Sequence, residues 1–233
     1  MITSIRPDTS IEGHKVLLVD DHPILRHGLA RLLKQELVVE VYEGPENVAD
    51  ALEQIRSLQP DLVVVDISLK DCLGIELITL TRAEDERTRF LVLSAFDEDL
   101  YAERAIRAGA RGYVHKGQPL SIVVEAVACV LRGNIYLSPH MTSRVLSRVN
   151  GNEPFEANPL AQLSNRELEV FRWIGRGVTT QEIARQLAVT TKTIEAHREN
   201  IKRKLDLKNA AELNRRAFQC AWEQGDLPGN GHA

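Results

Sequence analysis

Five polar side chains in the first half of the chain each stand at the point where a buried strand is expected to end. They are Asp20 and Asp21 after Val16-Leu17-Leu18-Val19, Asp66 after Leu62-Val63-Val64-Val65, Ser94 after Leu91-Val92-Leu93, and Lys116 after Gly112-Tyr113-Val114-His115. The carboxyl ends of the strands in an open α/β sheet form the ligand crevice. The spacing therefore predicts one crevice that holds three carboxylates, a hydroxyl and an amine.

These groups suit a phosphoryl group and a divalent cation. Carboxylates held close together repel one another, and burial raises the pKa of at least one of them. A cation such as Mg²⁺, which prefers one or two carboxylates together with water and phosphate oxygens, removes this conflict. An ionised carboxylate is also a nucleophile that can form an acyl phosphate. Lys116 would neutralise the transferred group, and Ser94 would donate a hydrogen bond to it.

Each of these residues, taken alone, also has a purely structural explanation. Asp21 could cap a helix that begins near Pro23, and Asp66 could cap the loop that follows it. Ser94 could be a simple strand-end hydroxyl, and Lys116 a solvated surface charge. The position of all five at the ends of successive strands favours a functional crevice over coincidence.

The elements that must position these groups alternate between apolar runs and helical periodicity from about residue 15 to residue 132, as βαβ units do. Strands are predicted near residues 15–20, 38–42, 62–66, 89–94 and 112–115. The first helix has its apolar residues at Ile24, Leu25, Leu29, Leu32 and Leu33, and the last at Leu120, Val123, Val124, Val127, Val130 and Leu131. Such stripes need a sheet face or a partner helix to bury them. We therefore predict a doubly wound, five-stranded parallel sheet.

The second half of the chain is predicted to be helical. Gly133 fits a helix stop, Ser138-Pro139 fits the start of a short helix, and residues 150–154 have the composition of an exposed linker. Four helix starts follow. Three carry a capping box or its Asn equivalent, pairing Ser164 with Glu167, Thr179 with Glu182, and Asn209 with Glu212. The fourth start, Thr190, has a cap but no box, because Thr193 stands three positions later.

Composition excludes several classes of protein. The 233 residues are 43% hydrophobic and 27% charged, which is ordinary for a soluble globular protein. The N-terminus lacks an apolar signal core, and no apolar stretch approaches the ~18 residues needed to span a bilayer. Cys72, Cys129 and Cys220 lie far apart, which favours reduced packing residues in a cytoplasmic protein over a zinc site or a disulfide framework.

The net charge of −4 conceals an asymmetry between the two halves. Residues 160–222 contain 12 Lys and Arg against 7 Asp and Glu, whereas the rest of the chain contains 17 and 26. A basic C-terminal unit on an acidic protein points to a polyanionic partner for that unit alone. The alternative explanation is a solvated, charged helix surface.

Residues 163–213 have the pattern of a helix-turn-helix. One apolar face is formed by Ile183, Ala184 and Leu187, and a second by Ile194, Ile201 and Leu205. The short connection at residues 188–190 provides the tight bend between a supporting and a recognition helix. Basic residues concentrate on the second helix and at its end, at Lys192, Arg198, Lys202, Arg203 and Lys204. Helix pairs with charged faces are also common in proteins that never touch DNA, so the pattern alone is weak.

Residues 15–132 resemble the receiver domain of two-component response regulators, which has a flavodoxin-like fold. The matching motifs are Val-Asp20-Asp21-His22, Val-Val-Asp66-Ile-Ser, Val-Leu-Ser94-Ala and Gly-Tyr113-Val-His-Lys116. The resemblance implies Asp66 as phosphoacceptor, Asp21 as the main metal carboxylate, Asp20 as a ligand through water, and the backbone carbonyl of Ser68 as a further metal ligand. It makes Ser94 and Tyr113 the switch pair and Gly74 the loop glycine. Lys70 departs from the proline that is common at its position.

Residues 163–213 resemble the DNA-binding domain of LuxR-type regulators, and the two matches together identify the chain as a member of the NarL/FixJ family. The resemblance implies that Glu195, Ala196 and Glu199 face bases. The full set of expected DNA-contacting residues is Lys192, Thr193, Glu195, Ala196, Arg198, Glu199, Lys202 and Arg203. We therefore expect a receiver domain over residues 14–134, a linker with a short helix over 135–159, and a four-helix DNA-binding domain over 160–222.

The resemblance implies a cytoplasmic transcription factor. A sensor histidine kinase would phosphorylate Asp66 in a Mg²⁺-dependent reaction, and phosphorylation would control homodimerisation and binding to double-stranded DNA. No membrane partner is expected, and no enzymatic activity beyond the receiver's own phosphotransfer and dephosphorylation.

Two rival functions are considered. An aspartyl-phosphate phosphohydrolase would need a second acid two residues after the nucleophile, where Ser68 stands. A constitutive DNA-binding protein is disfavoured by the intact set of five crevice residues.

The role of Phe96 has two possible explanations, because its ring could shield the acyl phosphate from water or simply pack against the fourth helix.

Overall fold

The first half of the chain forms a five-stranded parallel sheet. This computed structural model describes residues 11–69, 73–149 and 159–223. The strands are β1 (Lys15–Val19), β2 (Glu40–Glu43), β3 (Leu62–Val65), β4 (Arg89–Ser94) and β5 (Gly112–His115). They lie in the order β2-β1-β3-β4-β5, and every neighbouring pair is parallel. From β1 the chain adds β2 on one side of the sheet and then β3, β4 and β5 on the other side. Ligands bind beyond the strand ends at such a switch point, which here lies between β1 and β3. The predicted fold class is confirmed.

Six helices accompany the sheet in the described part of this half. They are α1 (Pro23–Glu36), α2 (Val48–Leu58), α3 (Gly74–Glu84), α4 (Glu98–Ala108), α5 (Leu120–Leu131) and α6 (Pro139–Val149). The residues of β1 from Val16 to Val19 are all buried, as are those of β3, which requires cover on both faces of the sheet. One core cluster joins Val16 and Leu18 to the buried stripes of α1 and α5.

Two residues of the expected helix stripes lie outside the core. Ile24 is 90% exposed and Leu120 is 44% exposed, whereas Leu29, Leu33 and Val127 are fully buried. Both exposed residues lie in the first turn of their helix, next to the strand ends. The stripe meets the sheet only in the later turns, so the prediction that Ile24 belongs to the core was wrong.

Within the described residues of the C-terminal unit, all regular secondary structure is helical. A 3-10 turn (Pro159–Gln162) precedes α7 (Asn165–Gly175), α8 (Thr180–Gln186), α9 (Thr191–Lys204) and α10 (Ala210–Glu223). The predicted apolar faces are confirmed, since Ile183, Ile194 and Ile201 are inaccessible to solvent. Ala188 adopts a left-handed conformation with φ of 50°, which gives the tight turn between α8 and α9.

The predicted helix caps are present. Capping boxes with both reciprocal hydrogen bonds begin α7 at Ser164 and α8 at Thr179. The Thr190 side chain accepts from the backbone of Thr193 and so caps α9 without a box. At α10, the Asn209 side chain accepts from Glu212 N, but the Glu212 carboxylate accepts from the backbone of Lys208, one residue before the expected partner.

The segment after α5 stays attached to the first unit. Tyr136 forms a parallel bridge with Gly112 on the outer edge of β5, and its backbone N–H donates to Arg111 O at 2.8 Å. Ser138 then caps α6 as expected, accepting from Met141 N at 3.1 Å. Met141 is buried, and the guanidinium of Arg144 donates to Asp99 in the first turn of α4. The contacts divide the chain into two units between residues 153 and 154, and the predicted linker at 150–154 lies outside the described residues.

Two expectations from composition can be compared with the structure. Within the described ranges, no helix is long and apolar enough to cross a membrane. Cys129 and Cys220 are half-buried and form no disulfide bond, and Cys72 lies outside the described residues.

Candidate functional site

The predicted crevice forms at the carboxyl ends of β1, β3, β4 and β5. Asp20 and Asp66 are buried, with 6% and 2% of their surface exposed. The ammonium of Lys116 lies 2.7 Å from Oδ2 of Asp20 and 2.7 Å from Oδ2 of Asp66. Residues separated by up to 96 positions in sequence therefore meet at one place, because parallel strands deliver their ends to one edge of the sheet.

The electrostatics of the crevice are unbalanced. Burial, the largest influence, together with the charge of Asp20 raises the pKa of Asp66 to about 6, although Lys116 and the backbone of Ser68 act in the opposite direction. Burial would lower the pKa of Lys116, but the charges of Asp66 and Asp20 outweigh it and the pKa is raised. One ammonium thus faces two buried carboxylates, with the Asp21 carboxylate beside them, and a second positive charge would stabilise the ionised acids.

The residues of the crevice fit a divalent cation. Asp20, Asp21, His22 and Asp66 each offer a ligand atom, and these atoms lie within 4.8 Å of one another. Oδ1 of Asp66 is buried and has no hydrogen-bond partner among the described residues. A buried carboxylate oxygen without a donor is costly, and a hard cation is a suitable partner for it.

Two further residues, His22 and Arg26, hold the site in place. The backbone N–H of His22 donates to Oδ1 of Asp20 at 2.8 Å, and the His22 ring nitrogen Nδ1 lies 2.6 Å from Oδ1 of Asp21. The guanidinium of Arg26 donates to the backbone carbonyl of Asp20 and also faces Glu43 on the neighbouring strand. His22 is the residue before α1 and Arg26 lies in its first turn, and neither position is marked by the apolar periodicity of the helix.

The loop after β3 depends on Gly74. Its N–H donates to Ile67 O at 2.8 Å, and a Cβ at this position would lie 2.0 Å from the carbonyl oxygen of Asp66. The glycine that the family resemblance marked is therefore required by close backbone approach. Ser68 lies in the same loop and bridges to Leu73, while Lys70 lies outside the described residues.

The expected switch pair is buried beside the crevice. Ser94 is fully buried, and its Oγ accepts from the backbone of Phe96 at 3.2 Å. Tyr113 points inward with 1% exposed, and its hydroxyl donates to Phe96 O at 2.6 Å. Burial raises the pKa of Tyr113, so the phenol stays neutral and able to donate. The Phe96 ring lies 5.0 Å from the ring of Tyr101 in α4, in accord with the packing alternative for this residue.

The second candidate surface is the exposed face of α9. Lys192, Glu195, Ala196, Glu199 and Arg203 are exposed and recur at helical spacing. They form one continuous stripe on the side of the helix opposite Ile194 and Ile201. The structure thus brings together on one face five of the eight residues expected to contact DNA.

The other three expected contacts also have partners inside the unit. The Thr193 and Thr190 hydroxyls lie 2.9 Å apart. The guanidinium of Arg198 donates to the Asn214 side chain on α10 at 3.2 Å, and Lys202 pairs with Glu199 at 2.8 Å. A phosphate contact from Arg198 stays a prediction, because its side chain is only 14% exposed and already bonded to α10.

The base of α9 is fixed by a pair that the sequence did not indicate. Lys204 donates to Glu167 at 2.6 Å, joining the end of α9 to the capping box of α7. Glu167 is 4% exposed, and although burial opposes ionisation, the bonds from Lys204 and Ser164 lower its pKa. These residues are 37 positions apart, and only the packing of α7 against α9 brings them together.

Comparison with known families and structures assigns both units. Residues 16–128 match the response regulator receiver domain, and residues 161–217 match the bacterial regulatory proteins of the luxR family. The chain is 33% identical over 204 residues to the oxygen regulatory protein NreC of Staphylococcus carnosus, covering 85% of this chain and 94% of NreC. It is 37% identical over 198 residues to the fimbriae Z protein of Salmonella typhimurium, covering 85% and 93%.

Solved structures share the fold. RcsB from Salmonella enterica serovar Typhimurium superposes with a TM-score of 0.65 at 23% identity, covering 89% of this chain and 99% of RcsB. A LuxR-family response regulator from Aurantimonas superposes with a TM-score of 0.56 at 30% identity, covering 60% and 99%. The crevice, the capped helices and these matches agree: the chain belongs to the NarL/FixJ family of response regulators, which join a receiver domain to a LuxR-type DNA-binding domain.

Proposed function

We propose that this chain is a transcription regulator whose binding to double-stranded DNA is controlled by phosphorylation of Asp66. The observation that carries the proposal is the buried Asp66 carboxylate, held between Lys116 and two further acids, in the same chain as a LuxR-type helix-turn-helix. The phosphodonor would be the phosphohistidine of a sensor histidine kinase. A DNA partner also implies the cytoplasm as the site of action.

The crevice residues divide the reaction among them. A carboxylate oxygen of Asp66 attacks phosphorus, the phosphorus–nitrogen bond breaks, and its electron pair leaves with the imidazole of the kinase. Lys116 neutralises charge on the phosphoryl oxygens, and the Ser94 hydroxyl donates a hydrogen bond to one of them. The cation is Mg²⁺ in this proposal. Asp21, Asp66 and the Ser68 carbonyl would hold it, with Asp20 acting through water, and it would neutralise charge on the transferred group.

The same contacts suggest how phosphorylation is transmitted. If Ser94 Oγ moves towards Asp66 to donate to a phosphoryl oxygen, the hydrogen bond that Oγ accepts from the Phe96 backbone must lengthen or carry that backbone with it. Tyr113 is bonded to the carbonyl of the same Phe96, and α4 begins immediately afterwards. A charge change at Asp66 therefore alters the start of α4 through two hydrogen bonds. Beyond phosphotransfer to Asp66 and its reversal, we propose no enzymatic activity.

The DNA-binding part of the proposal rests on side chains of α9, and the dimerisation part on side chains of α10. Lys192 and Arg203 are exposed at opposite ends of the α9 stripe, where phosphates flank a helix in the major groove. Homodimerisation is supported by Phe218 and Trp222 on α10, which stack while 52% and 64% exposed. Among similar structures, that of RcsB is described as bound to promoter DNA in the presence of a phosphomimetic.

The decisive experiment combines phosphorylation with DNA binding. Parent protein treated with acetyl phosphate and Mg²⁺ should gain one phosphoryl group by intact mass and bind promoter DNA more tightly. Asp66→Asn should gain none, whereas Asp50→Asn, a surface variant of the same domain, should behave as the parent. Labelling of the Asp66 variant equal to that of the parent would move the acceptor elsewhere. Equal DNA affinity of the parent with and without phosphodonor would favour a constitutive DNA-binding protein.

A further inference from the structure

The exposed stripe of α9 has an unusual order of charge for a helix that meets DNA. Its two ends are basic, at Lys192 and Arg203, but its centre carries the carboxylates of Glu195 and Glu199 on either side of Ala196. The side chains of these glutamates are 57% and 68% exposed. In a helix-turn-helix, the recognition helix lies in the major groove with its N-terminal residues against base edges. Glu195 and Glu199 follow within three turns of the start of α9 at Thr191.

Carboxylates at the centre weaken attraction to phosphate, so their charge is partly compensated within the unit. Arg198 lies 3.8 Å from Glu195 and Lys202 lies 2.8 Å from Glu199, each three residues further along the helix. Both basic side chains are themselves largely buried, with 14% and 19% exposed. The pairs therefore reduce repulsion by the DNA backbone without covering the glutamates.

The same contacts orient the carboxylates. The hydroxyl of Thr180, in the first turn of α8, donates to Oε1 of Glu195 at 3.2 Å. Glu199 is held by the ammonium of Lys202, which lies three residues further along α9. A carboxylate has about four lone-pair sites, so these contacts leave each group able to accept a further hydrogen bond. Thr180 and Lys202 act as positioning residues for the two acceptors.

We propose that α9 selects DNA by accepting hydrogen bonds from cytosine N4 through Glu195 and Glu199. This inference rests on the proposed function and concerns the sequence that is bound. A carboxylate can only accept, and cytosine presents an amino donor in the major groove without an adjacent acceptor. Adenine also presents an amino donor, but its N7 acceptor stands beside it and repels the second carboxylate oxygen. A glutamine, which both donates and accepts, has the opposite preference and matches adenine.

Selection of bound sequences from random double-stranded DNA tests the proposal with the full chain, acetyl phosphate and Mg²⁺. The variants are Glu195→Gln and Glu199→Gln. Asp206→Asn is the matched control, because it also neutralises one exposed carboxylate near the end of α9, and asparagine tolerates the left-handed backbone there, where φ is 54°. The parent should prefer cytosine at two positions of each half-site. Each glutamine variant should change one of these positions to adenine, with a preference of about 10-fold, as expected for one base contact.

Three other outcomes would overturn the proposal. The first is a parent motif without cytosine at any position that the variants alter. The second is an unchanged motif in both glutamine variants, with an affinity gain equal to that of the Asp206 control, which would leave the glutamates as ion-pair partners only. The third is a glutamine variant that loses its base preference at all positions of the site together. If the parent selects no sequence with or without phosphodonor, the proposed function itself fails, and the two failures are thus distinguishable.

Discussion

Neutralising Asp66 should stabilise the receiver domain when no divalent cation is present. The ionised carboxylate is buried, and one of its oxygens has no hydrogen-bond partner among the described residues. Asp66→Asn removes the charge while keeping the shape of the side chain. Lys116 does not become an isolated buried charge in this variant, because Asp20 remains 2.7 Å away. The variant therefore loses an unfavourable charge without leaving an unpaired one.

The magnitude follows from the pKa of Asp66, which is raised from 3.8 to about 6. Below pH ~4 the carboxyl is protonated in both folded and unfolded chains and burial of charge costs nothing. Above pH ~6 it is ionised in both, and the folded state bears the full cost of about 3 kcal/mol. The advantage of the variant should be about 3 kcal/mol at pH 7.5 and about half of that at pH 5.

Calorimetry of the full chain can isolate this effect. Both tryptophans, Trp173 and Trp222, lie in the C-terminal unit, so tryptophan fluorescence identifies the unfolding transition of that unit. The other transition belongs to the receiver domain, and Asp66→Asn should raise its midpoint by about 10 °C at pH 7.5 in EDTA. Glu36→Gln, at an exposed position of α1, is the control and should leave both transitions within about 1 °C.

Addition of Mg²⁺ should stabilise the parent more than the variant, because the ion offsets the charge of the Asp66 carboxylate, which the variant lacks. The difference in stability between the two proteins should therefore become smaller. The reasoning would be refuted by a variant that is less stable than the parent at pH 7.5 in EDTA. It would equally be refuted by an advantage that grows as the pH falls from 7.5 to 5, since protonation of the parent must remove it.

Further predictions concern single contacts. Lys204→Met should destabilise the C-terminal unit by about 2 kcal/mol in a tryptophan-monitored denaturant titration, because Glu167 loses its charged partner in a buried position; an unchanged midpoint would contradict this. Gly74→Ala should abolish phosphorylation by acetyl phosphate, because its Cβ would clash with the carbonyl of Asp66; full incorporation by intact mass would disprove the close approach. Phe96→Glu should lower the midpoint of the receiver domain by several degrees, because it places a charge against Tyr101; a faster loss of phosphate without destabilisation would instead support the shielding alternative. Lys192→Gln should weaken DNA binding and reduce the salt slope by about one unit, whereas Lys34→Gln on α1 should not.

The sequence predicted those features that depend on local patterns. Strand ends follow from apolar runs, so the pattern of residue types alone was enough to place Asp20, Asp66, Ser94 and Lys116 in one crevice. Helix caps are equally local, and Ser164 begins its helix with both bonds of the expected capping box. In both cases, the physical rule acts over a few neighbouring residues or over the fixed geometry of a parallel sheet.

Contacts that depend on the packing of distant helices could not be predicted. The bond from Thr180 to Glu195 requires the crossing of α8 over α9, and the ion pair of Arg144 with Asp99 spans 45 residues. Neither contact follows from the spacing of residue types along the sequence. Ile24 shows the converse, since it fits an apolar stripe but lies beyond the sheet that the stripe covers.

The bridge between Tyr136 and Gly112 has a consequence for how the protein can be divided. β5 is the last strand of the sheet, and without the chain at residues 135–137 its outer edge would expose unpaired backbone groups. Open edges of this kind are templates for aggregation. A receiver fragment that stops at residue 134 is therefore expected to self-associate through β5, whereas one that continues through α6 to Val149 keeps the bridge that covers the start of this edge and should remain monomeric in light scattering. The two fragments differ only in this covering segment, so their comparison would measure how far the segment prevents pairing of β5 with a second copy of the chain.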